Sequence, residues 1–503
     1  MMSVPMPRHR WSVVTLLMAG LTFSGMHPPV QASQDAAVAA SPVPSPLHWE
    51  PCAEFPDTEC AGLEVPVDPA RPDGPQLTLR LARQTALDPA QRTGTLLFIP
   101  GGPGVGIDTL FGGDYPARYH LADWRRTYDV VSFDPRGVGQ SNPIRCDPDL
   151  VPPIITSFDR PPSAAEFEAI GRANAAFMQS CVDATGELVA HVSSRDTAAD
   201  IERIRQALGQ EDGLVAYASS YGTLYSQMYL ERYGAHVKAL VLDGITAHSI
   251  DLATDAGRGV VAVQEAFARF GQWCEEDPTC ALHGQDLGGA FDDAIAIRPV
   301  VRTLVPQLLV TGRDPQLGWP ALATMLAQVS QGDTTELDQL LATASMASGA
   351  ADPWLRAGME GLVRGVLCAD FGPLGEYAAL TEAGEAIAQE VPRFAWKFWD
   401  ATPTEHRAVG VGVCVGWPTV EMNPPHDLQV SAHPNVMVAN SAYDTTTPLA
   451  NALNVWLQIP EARLLLTDVD GHQSMLWSQC AFETMFRFLE DPSSVPTTTL
   501  CPG

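Results

Sequence analysis

Four short, continuous apolar runs separated by helical patterns constrain the fold of this chain more than any other feature. They lie at residues 95–100, 129–134, 213–218 and 239–244, and each ends at or just before a turn containing glycine or proline. A strand that is apolar at nearly every position is buried on both faces, as in parallel sheets covered by helices. The sequence therefore predicts an α/β fold with a mostly parallel sheet and helices on both faces.

One of the helical patterns between these runs covers residues 196–209. Its apolar residues Ile201, Ile204 and Leu208 recur at helical spacing and share one face. Asp196 stands at the start of the pattern, so it is the candidate N-cap.

The rhythm of apolar runs stops after Gly244 and resumes at residues 435–440 and 462–468. The stretch between has helical patterns, which predicts a large, mostly helical cap insertion over the C-terminal edge of the sheet, where open α/β sheets bind ligands. The predicted organisation is a core at residues 48–245, a cap at 246–430 and the rest of the core at 431–503.

The N-terminus has the features of an export signal. Arg8 and Arg10 precede a mostly apolar segment at residues 13–23, and Val-Gln-Ala before Ser33 is a small-residue cleavage site. We expect a signal peptide at 1–32, a flexible Ala/Ser/Pro-rich leader at 33–47, and a secreted or periplasmic protein without a membrane anchor after cleavage. A buried N-terminal helix is the alternative.

Ten cysteines without a C-x-x-C pair favour disulfides over zinc ligands, as expected for an exported protein. Free buried thiols are the alternative, and sequence alone leaves the connectivity open. The close pairs are Cys52 with Cys60, Cys274 with Cys280, and Cys480 with Cys501; for Cys146, Cys181, Cys368 and Cys414 sequential pairing is the simplest arrangement. No metal or cofactor is expected. The formal net charge of -29 disfavours nucleic acid and anionic membranes as partners.

The third apolar run continues into a possible nucleophile turn, LVAYASSYGT at residues 214–223. A strand, a sharp turn with a serine and a helix form the context of a nucleophile elbow, whose positions two before and two after the serine must be small. For Ser220 these positions are Ala218 and Gly222. Ala218 replaces the usual glycine and is the smallest residue that has a side chain.

The neighbouring Ser219 is a poorer candidate. It would place Tyr217 and Tyr221 at the two positions that must be small, and both should clash. We therefore expect Ser220 to be the nucleophile.

A serine nucleophile needs a base, and the base needs an orienting acid. In the chain order Ser, Asp, His, the run at 435–440 is followed by Asp444, and the run at 462–468 is followed by His472. His433 precedes its strand and belongs to the wrong end of the sheet. Asp470 is only two residues from His472 and is poorly placed to orient it.

An oxyanion that forms on the substrate needs preorganised N–H donors. We expect one from Tyr221, directly after the nucleophile, and one from Gly102 in the glycine-rich loop that follows the first run. A phosphate cradle is the alternative for this loop, but neither phosphate-binding glycine motif is present.

These segments resemble a known family. PGGPG, FDPRGVGQS, SYGT, D-x-x-T-P at Asp444 and GH at His472 are similar in order and spacing to the secreted tripeptidyl aminopeptidases. Those belong to the proline-iminopeptidase-like serine peptidases of the α/β-hydrolase fold. CAD at Cys368 and CVGWP at Cys414 extend the resemblance, which runs from residue 48 to the end. Ala218 departs from the family pattern.

The resemblance implies an α/β-hydrolase fold and an exopeptidase that releases short peptides, often tripeptides, from free N-termini. Its partner would be a peptide whose ammonium group a carboxylate must recognise. Candidates are Glu275, Glu276 and Asp370, although for each a solvated surface acid is the simpler interpretation. A carboxylesterase or lipase with the same triad, and a non-catalytic binding protein of this fold, stay open as alternatives. The oligomeric state is not predicted.

Overall fold

A ten-stranded sheet forms the centre of the protein, with the strand order β1-β2-β3-β5-β4-β6-β7-β8-β9-β10. The computed structural model describes residues 46–113, 119–152, 161–314, 318–347, 352–372, 374–400, 410–418 and 423–502, apart from the side chains of residues 342–347. The strands are β1 (Glu50–Pro51), β2 (Glu59–Pro66), β3 (Gln76–Gln84), β4 (Gly94–Ile99), β5 (Tyr128–Phe133), β6 (Leu214–Ser219), β7 (Val237–Asp243), β8 (Val436–Ser441), β9 (Arg463–Thr467) and β10 (Thr498–Cys501).

The pairing confirms the predicted mostly parallel sheet. The first three strands and the contact of β3 with β5 are antiparallel. All pairings from β5 through β4 to β10 are parallel. Parallel strands place their C-terminal ends at one edge, so the loops that follow β4, β6, β8 and β9 meet there.

The central strand β6 illustrates why these runs are mostly apolar. Its six residues are all buried. Ala216 and Ala218 belong to the large hydrophobic core on one face of the sheet, whereas Val215 and Tyr217 belong to the second core on the other. Since successive side chains point to opposite faces, a strand covered on both sides has no solvent-exposed face, which favours apolar residues at nearly every position.

Helices cover both faces and fill the segment between β7 and β8. They are α1 (Asp108–Phe111), α2 (Leu121–Trp124), α3 (Ala164–Thr185), α4 (Ser194–Ala207), α5 (Gly222–Tyr233), α6 (Leu252–Glu276), α7 (Leu287–Ile297), α8 (Val301–Leu309), α9 (Trp319–Val329), α10 (Thr335–Ala347), α11 (Pro353–Phe371), α12 (Tyr377–Glu390), α13 (Leu449–Gln458) and α14 (Gln479–Glu490).

Helix α4 begins earlier than the sequence predicts. Its N-cap is Ser193, whose hydroxyl accepts from the backbone N–H of Asp196, while the Asp196 carboxylate bonds back to Ser193. Asp196 is therefore the third residue of a capping box and not the N-cap, because the reciprocal pair satisfies two backbone donors where a lone cap satisfies one.

Seven helices, α6 to α12, lie between β7 and β8 in the described part of the chain. One of them, α11, contacts the loops at the C-terminal edge of the sheet. A Cβ added to Gly104, after β4, would meet Met359 and Val363, and one added to Gly137, after β5, would meet Leu362. The helical segment thus lies over this edge. The exact cap boundaries at 246 and 430 stay a prediction.

All ten cysteines are paired within the described chain: Cys52–Cys60, Cys146–Cys181, Cys274–Cys280, Cys368–Cys414 and Cys480–Cys501. The pairing is sequential throughout, as the simplest arrangement predicts.

The predicted signal peptide and all but the last two residues of the predicted leader lie outside the described residues. Among the helices that are described, none has the length and apolar character that crossing a membrane requires.

Candidate active site

The turn between β6 and α5 presents Ser220. The strand ends at Ser219 and the helix begins at Gly222, so only two residues make the turn. Ser220 has a φ of 53°, in the left-handed region that non-glycine residues rarely adopt, and it is partly exposed. Its N–H donates to the carbonyl of Asp243 at 2.9 Å, which ties the strained turn to the end of β7.

The turn is as crowded as an elbow requires. A Cβ added to Gly222 would lie 2.5 Å from the carbonyl oxygen of Ile99 and 2.7 Å from that of Pro100. Ala218, where the family pattern has glycine, is fully buried within the sheet. Its methyl group is part of the hydrophobic core, which accounts for an alanine at this position.

Ser219 occupies a different environment from Ser220. It is buried, and its hydroxyl accepts a hydrogen bond from Nε2 of Gln473 at 2.7 Å. The Gln473 carbonyl oxygen Oε1 in turn accepts from the hydroxyl of Tyr119. Ser219 therefore connects the elbow to the loop after β9, whereas Ser220 is the serine at the left-handed position of the turn.

The acid and the histidine predicted from the sequence lie side by side. Nδ1 of His472, after β9, is 2.8 Å from Oδ2 of Asp444, after β8. The Asp444 carboxylate is buried and also accepts from the backbone N–H groups of Thr446 and Thr447 and from the Thr447 hydroxyl. The backbone N–H of Gln473 also donates to Oδ2 at 3.3 Å, so five donors fix the direction of this carboxylate.

The environment of His472 favours its charged form. Burial by itself lowers the pKa of the imidazole, but the charge and hydrogen bond of Asp444, with a contribution from Asp243, outweigh it, so the pKa lies above its ordinary value. Such a histidine accepts a proton readily and is stabilised once it has done so.

Two residues that sequence reasoning set aside lie elsewhere. His433 is placed before β8, with Nε2 against Gly234. Asp470 forms an ion pair with Arg269 and makes no hydrogen bond to His472. Both observations agree with the choice of Asp444 and His472.

Asp243, at the end of β7, was missed by the sequence reasoning. This fully buried carboxylate accepts from the backbone N–H groups of Ser474 and Met475 and from the hydroxyl of Tyr217. Burial raises its pKa, against the effect of these three donors. It holds the loop just after His472. The available signal was a single acid at the end of an otherwise apolar strand, VLDG.

The glycine-rich loop after β4 lies against the elbow. A Cβ added to Gly101 would be 2.7 Å from Cβ of Ser220 and 3.1 Å from the backbone nitrogen of Tyr221. In the described part of the chain, the N–H groups of Tyr221 and Gly102 have no acceptor. Gly101, which directly precedes the predicted donor Gly102, therefore lies against the elbow that carries the other predicted donor, Tyr221.

Another buried carboxylate fastens the glycine-rich loop. Asp134, after β5, accepts from the backbone N–H groups of Ile107 and Gln140, and it fills the space where Gly106 and Gly139 would carry a Cβ. Burial raises the pKa of Asp134 to about 6. The carboxylate joins the loops that follow β4 and β5.

Asp370, one of the three acids considered for the substrate amine, does not have the exposed position that this predicted role requires. It is fully buried and accepts from Ser194, through both its N–H and its hydroxyl, from the hydroxyl of Tyr221 and from Nδ2 of Asn423. Burial raises its pKa to about 6. With no exposed oxygen, it cannot meet a substrate ammonium in this conformation; instead it anchors the residue that follows Ser220.

Glu275 and Glu276 are exposed at the last turn of α6, and Glu276 accepts from Gln272. No hydrogen bond or ion pair joins either one to Ser220 or His472 in the described residues. Within those residues there is also no group of three or more His, Cys, Asp or Glu side chains that could hold a metal ion.

Comparison with known proteins places this geometry in context. The family model described as alpha/beta hydrolase fold matches residues 94–479. Carboxylesterase B of Mycobacterium tuberculosis is 28% identical over 97% of this chain and 96% of its own length. Serine protease Hip1 of the same species is 27% identical over 93% of each chain. The tripeptidyl aminopeptidase of Streptomyces lividans is 26% identical over 86% of this chain and 82% of its own.

Among solved structures, the proline iminopeptidase of Mycobacterium smegmatis is similar with 15% identity and a TM-score of 0.34, covering 86% of this chain and 99% of its own. The sequence relatives confirm the resemblance that the motifs indicate, and the family model spans every strand from β4 to β9. The chain belongs to the α/β-hydrolase fold family.

Proposed function

We propose that this protein is a secreted serine exopeptidase that releases short peptides, with tripeptides as the expected length, from free N-termini. The observation that carries the proposal is the 2.8 Å contact between His472 and Asp444 at the edge where Ser220 stands on a left-handed turn. Five disulfides suit an oxidising compartment and support secretion.

The proposed roles follow from the hydrogen bonds. Because Nδ1 of His472 donates to Asp444, Nε2 is the nitrogen left to act as the base. Nε2 takes the proton of Ser220 as the hydroxyl attacks the scissile carbonyl, and it then protonates the leaving amine. Asp444 keeps the imidazole in this tautomer and stabilises its charged form. Water then attacks the acyl-enzyme carbonyl while Nε2 of His472 takes its proton. The bond to Ser220 breaks, His472 returns the proton to the serine oxygen, and the short peptide leaves with a free carboxyl group.

The proposed oxyanion donors are the N–H groups of Tyr221 and Gly102. Loss of one such donor typically lowers kcat by ~100- to 1000-fold. The Asp370 carboxylate helps to fix Tyr221, because it accepts a hydrogen bond from the Tyr221 hydroxyl.

A carboxylesterase is the second candidate, since one relative at 28% identity carries that name. The two activities share the triad and differ in what the helical segment recognises. A peptidase specific for free N-termini needs an anion for the ammonium group. Glu275 and Glu276 stay candidates for that role, because both are exposed and lie in the segment between β7 and β8.

The decisive experiment is a panel of di-, tri- and tetrapeptide p-nitroanilides with free and acetylated N-termini, together with a p-nitrophenyl ester. The proposal predicts hydrolysis of the free tripeptide substrate, loss of at least ~100-fold on acetylation, and no activity in Ser220→Ala. Ser219→Ala is the matched control and should keep its activity within about tenfold. Ester cleavage alone would support the carboxylesterase, and equal cleavage of free and acetylated peptides would contradict the exopeptidase.

A further inference from the structure

One arginine of the helical segment contacts the two loops that carry the acid and the base. Arg269 lies on α6. Its Nε is 2.5 Å from Oδ1 of Asp470 and its Nη2 is 2.7 Å from Oδ2, so the pair is bidentate. The guanidinium carbon of Arg269 also lies 3.5 Å from the ring centroid of Tyr443.

Both partners of Arg269 lie next to the proposed catalytic residues in the sequence. Tyr443 directly precedes Asp444, and Asp470 stands two residues before His472. The two loops are joined directly by hydrogen bonds such as the one between His472 and Asp444. The planar guanidinium of Arg269 contacts both loops as well. The loop of His472 has a second contact with the helical segment, because the backbone N–H of His472 donates to the carbonyl of Val310 at 3.3 Å.

We propose that Arg269 is a positioning residue, which holds the loops of Asp444 and His472 at the separation that their hydrogen bond requires. The inference rests on the proposed function, since it assumes that these two residues serve Ser220. It extends that function by making the helical segment part of the catalytic geometry as well as a cover for the substrate.

The chemistry of the contact suits this role. A guanidinium is planar and presents paired donors that match a carboxylate, so a bidentate pair fixes direction as well as distance. The same flat group stacks on an aromatic face. The Asp470 side chain is 10% exposed and that of Arg269 is 27% exposed, so solvent weakens this pair less than a surface ion pair.

The chain offers a matched control in Arg393, from the same segment between β7 and β8. Its guanidinium also pairs with a carboxylate, Asp292 at 3.2 Å, and lies 5.5 Å and 5.4 Å from the ring centroids of Phe267 and Phe291. Its side chain is 30% exposed, close to the 27% of Arg269. In the described part of the chain, no hydrogen bond, ion pair or ring contact joins Arg393 to either of the two loops.

The test measures how fast a fluorophosphonate labels Ser220, as separate kinact and KI values, in full-length Arg269→Gln, Arg269→Lys, Asp470→Asn, the Arg269→Gln/Asp470→Asn double variant and Arg393→Gln. We expect kinact to fall ~10- to 100-fold in Arg269→Gln with KI changed less than about threefold, since a misplacement of ~1 Å costs up to ~100-fold. Arg269→Lys should lie between, because an ammonium keeps the charge but not the fork.

The double variant should be no slower than the slower single variant, because both substitutions break one contact. Arg393→Gln should stay within about twofold of the wild type. Circular dichroism and thermal unfolding report whether each variant is folded. Equal kinact values in Arg269→Gln and Arg393→Gln would overturn the inference, and so would losses that add in the double variant. If the wild type itself is not labelled, the proposed function fails instead.

Discussion

Replacing Gly101 by alanine should damage the active site with little loss of folding. Gly101 follows β4, and an added Cβ would lie 2.6 Å from the carbonyl oxygen of Ser219, 2.7 Å from Cβ of Ser220 and 3.1 Å from the nitrogen of Tyr221. These atoms are the elbow itself, so the loop cannot accept a methyl group without moving the proposed nucleophile or one of its oxyanion donors.

The size of the effect follows from the distances. The nearest atom is 0.8 Å closer than the 3.4 Å at which ordinary contact begins. Overpacking of this kind typically lowers the free energy of unfolding by ~1–3 kcal/mol, which leaves a protein of ordinary stability, ~5–15 kcal/mol, folded. A displacement approaching 1 Å at reacting groups lowers the rate by ~100-fold. We expect kcat/KM to fall by about that factor.

Gly94→Ala is the control. Gly94 begins the same strand β4 at its other end, and an added Cβ would meet nothing within 4 Å. Hydrolysis of the free tripeptide p-nitroanilide and urea unfolding should both be unchanged in Gly94→Ala within error. Activity of Gly101→Ala within about twofold of Gly94→Ala would refute the close approach of the glycine-rich loop to the elbow.

Two further predictions concern ionisable groups. Asp444→Asn removes the charge that holds the pKa of His472 above its ordinary value, so the ascending limb of the rate against pH should move to lower pH while kcat falls ~10⁴-fold; an unmoved limb would contradict this origin of the shift. Burial raises the pKa of Asp370 from 3.8 to about 6, so the folded state binds its proton more tightly than the unfolded state. Its contribution to stability is therefore complete below about pH 4 and is lost as the pH rises through about 6, by ~3 kcal/mol. In Asp370→Asn, denaturant unfolding between pH 4 and 7 should show a correspondingly shallower decline, and an equal slope in both proteins would contradict the assignment.

The sheet and the order of the candidate residues were predictable for one physical reason. A strand buried on both faces must be apolar at most positions, so the runs at β4, β5, β6 and β7 stand out without any partner being known. The C-terminal ends of parallel strands meet at one edge. Residues that follow different strands, such as Asp444 and His472, are therefore expected to come together.

Contacts between distant side chains were not predictable in the same way. Asp243 and Asp370 look alike in the sequence, as single acids beside apolar residues, yet one fastens the loop after His472 and the other fastens Tyr221. Which donors surround a carboxylate depends on tertiary packing, and neither spacing nor hydrophobic pattern records it. The same holds for Arg269, one of many charged residues on the helices between β7 and β8.

The N-cap of α4 at Ser193 shows a smaller limit of prediction from the sequence. Ser193 and Asp196 both belong to residue types that cap helices, and hydrophobic periodicity begins too late to separate them. A serine followed three residues later by an acid is the pattern that identifies the reciprocal capping box.

Identification of the serine that reacts tests the central claim most directly. The protein is treated with a fluorophosphonate, digested, and the modified peptide is sequenced by mass spectrometry, with Ser220→Ala and Ser219→Ala treated in parallel. The account predicts a single adduct on Ser220, its loss in Ser220→Ala and its retention in Ser219→Ala. An adduct on Ser219, or a wild-type protein that stays unmodified while a known serine hydrolase in the same tube is labelled, would contradict it.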